Sequence, residues 1–365
     1  MKNSLFVLLF FTLFVSAIML AYKSISPLLP SEQRLGRSST DKGIFVSRDG
    51  GQTWRQQTKV ANDGNLKSAE VLRLLFDPAN PQVVYAATSA GLYRYGADTP
   101  VWEFLGEENF KDVSSVRSVA VNSQDSSIVF AATQALAKPS VIWKSTDRAE
   151  SFSPVYATPS ADEAIVDIHV DFYAPHIVFA LTNTGSFLRS DDEGVSWRVA
   201  HTFDGSRVTK LIMDPNDSRN LYVLAESGGL FVSFDKGESW QNRSSVLENI
   251  SPQASYVNTL KIARGNSSLL YLATNYGILR SNDKGRTFEL VTFLVAPGSA
   301  SIDSVEFGQS GDELFTSVGA QLYHSTDRGG SWQVLRTLDT QHVIYEILLH
   351  PAEPETIFVG VAAKK

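Results

Sequence analysis

The amino-acid sequence predicts an all-β protein: a seven-bladed β-propeller of four-stranded antiparallel blades, closed into a ring where the N- and C-terminal strands share one blade. Three observations predict it. An eight-residue pattern, Ser-x-Asp-x-Gly-x-Ser/Thr-Trp/Phe, returns along the chain. The aromatic residues that close it stand at 54, 102, 152, 197, 240, 288 and 332, a period in the mid-forties that marks a repeat architecture. Finally, the chain opens with one kind of hairpin and ends with another, so its two ends are complementary halves of one unit.

The pattern is clean at Ser47–Trp54, Ser190–Trp197, Ser233–Trp240, Ser281–Phe288 and Ser325–Trp332. The copy at Ser145–Phe152 has Ala149 where the glycine should be, and the copy at Tyr95–Trp102 keeps little beyond Trp102. Each copy makes physical sense as a hairpin turn. An alternating apolar run such as Gly43-Ile44-Phe45-Val46 leads in as a strand. The carboxylates of Asp49, Asp147, Asp192, Asp235, Asp283 and Asp327 accept backbone N–H groups inside the turn, and glycine takes a positive φ at little steric cost. The Ser and Thr hydroxyls tie the arms together. Trp54, Trp102, Trp197, Trp240 and Trp332 start return strands and bury large flat surfaces. That accounts for the spacing without any chemistry being done, and it predicts strain at Ala149.

The motif resembles the Asp-box (BNR) repeat. In appearance the chain is most similar to the photosystem II assembly and stability factor-like family, and more distantly to sortilin, sialidase-type and xyloglucan-cleaving propellers. The resemblance covers residues 43–362 at the level of fold. It implies a propeller whose Asp boxes are structural hairpins remote from any active site, so their carboxylates are assigned to architecture and not to metal binding or catalysis.

Ahead of the repeats, Leu5 to Tyr22 form an uncharged run of eighteen residues. As a helix it would span about 27 Å, enough for a bilayer core. Residues 1–22 therefore read as a signal peptide or an uncleaved signal anchor. The expected location is membrane-anchored with the propeller outside the cytoplasm, or secreted or periplasmic after cleavage. Lys23, Arg34, Arg37 and Lys42 follow the run and only Lys2 precedes it, an asymmetry that opposes this orientation. Residues 23–42 lack periodicity and read as a linker, residues 43–362 as the propeller, and 363–365 as a tail.

Within the propeller, Asp-box hairpins alternate with hairpins of a second kind. Val71 to Phe76 leads through Asp77-Pro78-Ala79-Asn80-Pro81 into Val83 to Thr88, and others begin at Val116, Ile165, Val208, Val257, Ile302 and Ile344. Prolines in these turns fix the reversals. The first hairpin, Ile44 to Trp54, and the last, Ile344 to Val361, each supply half a blade. Six whole blades and this shared one make seven, and closure removes unpaired edges.

Composition narrows function. A net charge of −7 gives no electrostatic footprint for nucleic acid. The absence of cysteine excludes disulfides and thiolate chemistry, and the six histidines show no ligand spacing, so no metal or cofactor is expected. Aligning the seven inner strands gives one polar column: Arg73, Ser118, Asp167, Lys210, Thr259, Ser304 and Glu346. Its columns on either side read as largely apolar. Arg73, Asp167, Lys210 and Glu346 are the candidate contact ring at the channel mouth; the plainer reading is that these channel residues pair with one another. Exposed aromatics at Tyr156, Phe203, Tyr256 and Tyr276 keep carbohydrate binding open. The segment before the first box does not match the sialidase pattern, and no motif supports Asp167 and Glu346 as a glycosidase pair. The expected function is a non-catalytic protein-interaction or assembly propeller, acting as a monomer on a membrane or extracytoplasmic protein client. The alternative is a glycoside hydrolase or carbohydrate-binding propeller.

Overall fold

The computed structural model describes residues 42–96, 99–106, 109–110, 113–309 and 311–363. The hydrophobic run 5–22 and the linker 23–41 lie outside the described residues. Among the described residues, no helix is long and apolar enough to cross a membrane.

The chain opens with β1 (Gly43–Ser47) and β2 (Arg55–Gln56). Blade 1 follows as β3 (Val71–Phe76), β4 (Val84–Thr88), β5 (Gly91–Gly96) and β6 (Thr99–Leu105), and blade 2 as β7 (Ser115–Val121), β8 (Val129–Gln134), β9 (Val141–Ser145) and β10 (Ser153–Ala157). Blade 3 comprises β11 (Ile165–Val170), β12 (Val178–Thr182), β13 (Ser186–Ser190) and β14 (Arg198–Thr202). Blade 4 comprises β15 (Val208–Met213), β16 (Leu221–Ala225), β17 (Leu230–Ser233) and β18 (Gln241–Asn242). Blade 5 is β19 (Val257–Ile262), β20 (Leu270–Thr274), β21 (Ile278–Ser281) and β22 (Glu289–Leu290), and blade 6 is β23 (Ser304–Phe307), β24 (Leu314–Val318), β25 (Gln321–Ser325) and β26 (Gln333–Val334). The chain ends with β27 (Val343–Leu349) and β28 (Ile357–Ala362). Among the described residues, helix is confined to the loop before blade 5, as α1 (Ser244–Glu248) and a 3₁₀ turn at Pro252–Ser255. The sequence reading had no element there.

Blade 7 is the sheet β2-β1-β28-β27. Gly43 pairs with Val361, Phe45 with Val359 and Ser47 with Ile357, so head and tail of the propeller form one antiparallel ladder. Seven apolar clusters fill the molecule, and each is shared by two neighbouring blades. One joins Ile44 and Phe358 of blade 7 to Val71 and Leu74 of blade 1, and another joins Phe45 and Ile347 to Phe315 and Leu322 of blade 6. The seam is tight. A Cβ added at Gly360 would lie 2.5 Å from Val71 Cγ1.

The repeated turns have the predicted bonding. In the first, Asp49 Oδ1 accepts from the Ser47 hydroxyl at 2.7 Å and the Thr53 N–H at 2.9 Å, and Oδ2 accepts from the Thr53 hydroxyl at 2.5 Å. The Ser47 hydroxyl also accepts from the Gly51 N–H at 2.8 Å, and the Trp54 indole donates to the Gly51 carbonyl at 3.1 Å. The side-chain bond from Thr53, with the backbone bond beside it, pulls the Asp49 carboxyl down to about 2. The same bonds recur at Asp147, Asp192, Asp235, Asp283 and Asp327. The turn places two successive residues at positive φ, and only the second is the motif glycine. The first is Arg148, Glu193, Lys236, Lys284 or Arg328 at +58° to +64° in five copies. Ala149 sits at +68°, as predicted, and is fully buried. In the worn copy, Trp102 is fully buried and donates to the Gln57 carbonyl at 2.9 Å. Ala97, which stands where the other copies carry their aspartate, lies outside the described residues.

One boundary differs from the sequence reading. The inner strand of blade 6 starts at Ser304, and the Ile302 N–H ahead of it bonds the Thr274 carbonyl of blade 5 at 3.0 Å.

Two predictions follow from the packing. Gly360→Val forces a side chain against Val71 and should lower stability by about 2–3 kcal/mol, the usual range for overpacking, in a denaturant titration. An unchanged midpoint would show that the seam is loose. Ala149→Gly relieves a left-handed alanine worth about 1–2 kcal/mol and loses a buried methyl worth about 0.8 kcal/mol. Stability should therefore rise by roughly 0.5 kcal/mol, whereas Gly194→Ala, whose Cβ would lie 2.8 Å from the Phe130 ring, should lower it. A loss in Ala149→Gly would mean that methyl packing outweighs backbone strain.

Candidate functional site

Antiparallel connectivity sorts the loops by face. The Asp-box turns and the turns between first and second strands share one face. The loops between blades, and the turns between second and third strands, crown the other. Each first strand runs down the central channel from this crown.

Six of the seven first strands carry a β-bulge near their crown end. In blade 1, Val71 pairs with Thr88 and Arg73 with Ala87, leaving Leu72 as the extra residue. The extra residues in blades 2, 3, 4, 5 and 7 are Arg117, Val166, Thr209, Asn258 and Tyr345. Blade 6 has no bulge. Bulges re-aim side chains, and here Leu72, Arg117, Val166, Thr209 and Tyr345 line a cavity of about 250 Å³ at the channel mouth. Asn258 turns away to bond Asn275, Ser301 and the Ile302 carbonyl at 2.8–3.1 Å, which ties two crown loops together.

Three residues of the predicted column, Arg73, Asp167 and Lys210, line this cavity one position below the bulges. Asp167 is buried, and its Oδ1 accepts from Arg73 Nη1 at 2.7 Å, the Ser118 hydroxyl at 2.7 Å and the Ile168 N–H at 3.0 Å. Its Oδ2 accepts from the Leu211 N–H at 3.1 Å. Burial alone would raise the Asp167 carboxyl, but the Arg73 charge, then His169 and the Ser118 hydroxyl, hold it well below the usual carboxylate range. Arg73 Nη1 also lies 3.2 Å from His169 Nε2. The same Nε2 lies 3.4 Å from Asp167 Oδ2, so the imidazole edge sits between the guanidinium and the carboxylate. Burial and then the Arg73 charge lower the His169 pKa and outweigh the opposing pull of Asp167, which favours the neutral imidazole at neutral pH.

A second group closes the other side. Lys210 and Lys261 both lie 3.4 Å from the Glu346 carboxylate, and Lys261 also reaches Glu306 at 2.5 Å. Burial opposes ionisation of Glu346, yet Lys210 and Lys261 hold its carboxyl below the ordinary value. Burial likewise opposes the Lys261 charge, and Glu306 and Glu346 more than offset it, raising its pKa. The Lys210 ammonium also stands 5.5 Å above the Tyr345 ring.

The structure thus joins Arg73 to Asp167 and Lys210 to Glu346, in two separate groups that cross the channel between non-adjacent blades. Ser118 serves the first, while Thr259 and Ser304 are buried. Three plug residues, His169, Lys261 and Glu306, stand two positions further along their strands, in a column that the sequence reading took as largely apolar. The mouth residues were hidden for a different reason: a bulge shifts register by one residue and leaves no compositional mark. Of the aromatics considered for carbohydrate, Phe203 is core, Tyr156 and Tyr276 are half-buried, and Tyr256 is exposed. Among the described residues, no three His, Asp or Glu side chains converge as a metal set.

Fold and turns together define a seven-bladed propeller built on Asp-box repeats. A family model for the BNR/Asp-box repeat matches residues 45–56, the first turn and its flanking strands. The chain is 25% identical over 184 residues to a probable oligoxyloglucan-reducing end-specific xyloglucanase from Neosartorya fischeri, covering 45% of this chain and 22% of that protein. It therefore spans about a fifth of that relative's length. Among solved structures, the GH74 xyloglucanase of Xanthomonas campestris superposes with a TM-score of 0.64 at 18% identity, covering 80% of this chain and 51% of that one. YCF48 bound to D1 peptide superposes at 0.62 and 16% identity, covering 80% of this chain and 92% of that one. At these identities the likeness is one of fold.

Breaking the Arg73–Asp167 pair leaves a channel-buried cation without its anion, so Asp167→Asn should cost about 3 kcal/mol by denaturant titration. A loss within experimental error would show that water replaces the carboxylate. The pH dependence has a definite sign. His169 has a folded pKa below its ordinary 6.5, so the unfolded chain binds more protons and stability falls as pH drops below about 6.5. Asp167 is depressed from 3.8, so its contribution is intact above about pH 4 and is lost on further acidification. His169→Gln should flatten the decline in melting midpoint between pH 7 and 5 and leave the steeper fall below pH 4 in place.

Proposed function

We propose that this propeller is a non-catalytic protein-interaction or assembly module, held at the extracytoplasmic face of a membrane through residues 5–22 and presenting its crown to a membrane or extracytoplasmic protein client. One observation carries the reading. The channel carboxylates are spent on partners: Asp167 accepts four hydrogen bonds from protein donors and Glu346 lies between two lysines. Glycoside hydrolysis needs one carboxyl kept protonated as the acid and another free to act as base or nucleophile. Asp167 and Glu346 are both held ionised, Asp167 first by Arg73 and Glu346 first by Lys210 and Lys261.

Two further features support a crown-facing role. The chain enters the propeller on the crown side, where the Lys42 N–H bonds the Lys67 carbonyl and its ammonium pairs with Glu70 at 2.7 Å. The crown also carries Leu136, 88% exposed, and Leu294, 58% exposed. The solved YCF48 chain, most of whose length superposes on this one, is seen with a D1 peptide.

Affinity capture from solubilised membranes tests the reading. The joint variant Leu136→Asp with Leu294→Asp should lose a specific partner that Val195→Asp, on the Asp-box face, retains. Release of reducing ends from xyloglucan by the wild-type protein would overturn the non-catalytic reading.

A further inference from the structure

We propose that the chamber above the plug binds an organic monocarboxylate, anchored by Arg117. The inference goes beyond the client reading and does not rest on it. It starts from a charge count. Beneath the cavity, the linked channel ions Arg73, Lys210 and Lys261 pair with Asp167, Glu306 and Glu346, and the lowered His169 pKa favours its neutral form, so this floor of paired ions carries no net charge. At the rim, Arg207 and Glu226 pair at 2.8 Å and cancel. Arg117 is what remains. It stands on the bulge of blade 2, is half-buried, lines the cavity, and makes no ion pair or side-chain hydrogen bond with any described residue.

A guanidinium offers five donors in a planar fork, and its best complement is a carboxylate held by two parallel bonds. One uncompensated positive charge over a neutral floor selects a monoanion. Size and lining narrow the class further. About 250 Å³ is below the usual range for drug-sized ligands, so the occupant is a small acid or the terminal group of something larger. Leu72, Val166 and the Tyr345 ring offer apolar faces, while Thr209, Asn183 and Gln134 offer hydroxyl and amide groups beside them. That mixture suits a compact, hydroxyl-bearing body. Because the plug already satisfies Arg73 and Lys210, the ligand does not have to break an existing pair to bind, and the protein does not have to rearrange.

The test is isothermal titration calorimetry on the full chain in detergent, with glucuronate, lactate, neutral glucose, and one short peptide prepared with a free α-carboxylate and as its amide. At least one free carboxylate should bind, and its neutral counterpart should bind at least roughly tenfold more weakly, the scale of a charge-assisted pair. Arg117→Gln should weaken that binding roughly tenfold or more with an unchanged melting midpoint, Arg117→Lys should recover part of it, and Arg207→Gln should change it less than about threefold. Binding by glucuronate or lactate identifies a free small acid as the source. Binding by the free-carboxylate peptide alone identifies a chain end. If no carboxylate in the set binds, or if Arg117→Gln leaves binding intact, the proposal is overturned. Membrane capture by Arg117→Gln is read separately: loss of carboxylate binding with the partner retained separates the chamber from the client surface.

Discussion

The whole molecule depends on the antiparallel ladder between β1 and β28. Five residue pairs join strands more than three hundred positions apart, and through them each of the two seam blades gains the apolar face it packs against. Every blade needs two neighbours, because each of the seven clusters is built half from one sheet and half from the next. A ring supplies this without exposed sheet faces or unpaired inner edges. The requirement has a kinetic corollary: the contacts that close the ring join residues more than three hundred positions apart, the class of contact that slows folding most.

Closure also dictates the channel. With the ring fixed, first strands from blades that never touch in the sheet ladders converge on a common axis, and their side chains must fill it. Here they fill it with ions. Arg73 spans from blade 1 to Asp167 on blade 3, and Lys210 from blade 4 to Glu346 on blade 7. Backbone N–H groups of Ile168 and Leu211 complete the Asp167 shell, so strand geometry and the ion pair reinforce each other. A buried pair of this kind is costly to break and modest in net stabilisation. Its structural effect is to tie strands across the axis and close the channel at the depth of the polar column.

The repeat, the turn chemistry and the shared blade were legible because they recur. A pattern such as Ser-x-Asp-x-Gly-x-Thr-Trp fixes hydrogen bonds within a few residues, and local bonds leave local marks: Asp49 and its equivalents make the bonds their spacing requires. The polar column was legible for the same reason, since Arg73, Asp167, Lys210 and Glu346 hold equivalent places in successive strands. What could not be read is what depends on register across strands. The bulge that turns Leu72, Arg117, Val166, Thr209 and Tyr345 toward the mouth lies in the pairing of first to second strand, and no composition signals it. The alternation rule fails at that point by one residue. His169, Lys261 and Glu306 were missed because apolar neighbours such as Leu75 and Ile212 dominate their column, and only the ring brings the three charged ones together.

The bulges also explain how one fold separates architecture from recognition. On the Asp-box face, backbone and side-chain donors are consumed by turns that repeat with little variation, so that face is built for permanence. At the crown end, an extra residue in six strands frees one side chain per blade from the sheet's alternation while leaving the pairing below it undisturbed. Those positions can vary without cost to the ladder, and in this chain they hold a leucine, an arginine, a valine, a threonine, an asparagine and a tyrosine. Blade 6, which lacks the bulge, instead turns Asp303 to the Gly319 N–H at 2.5 Å and closes its own crown turn. The mouth is therefore asymmetric although the ring is nearly regular, and a ligand or client meets a surface set by register shifts laid over a repeated frame.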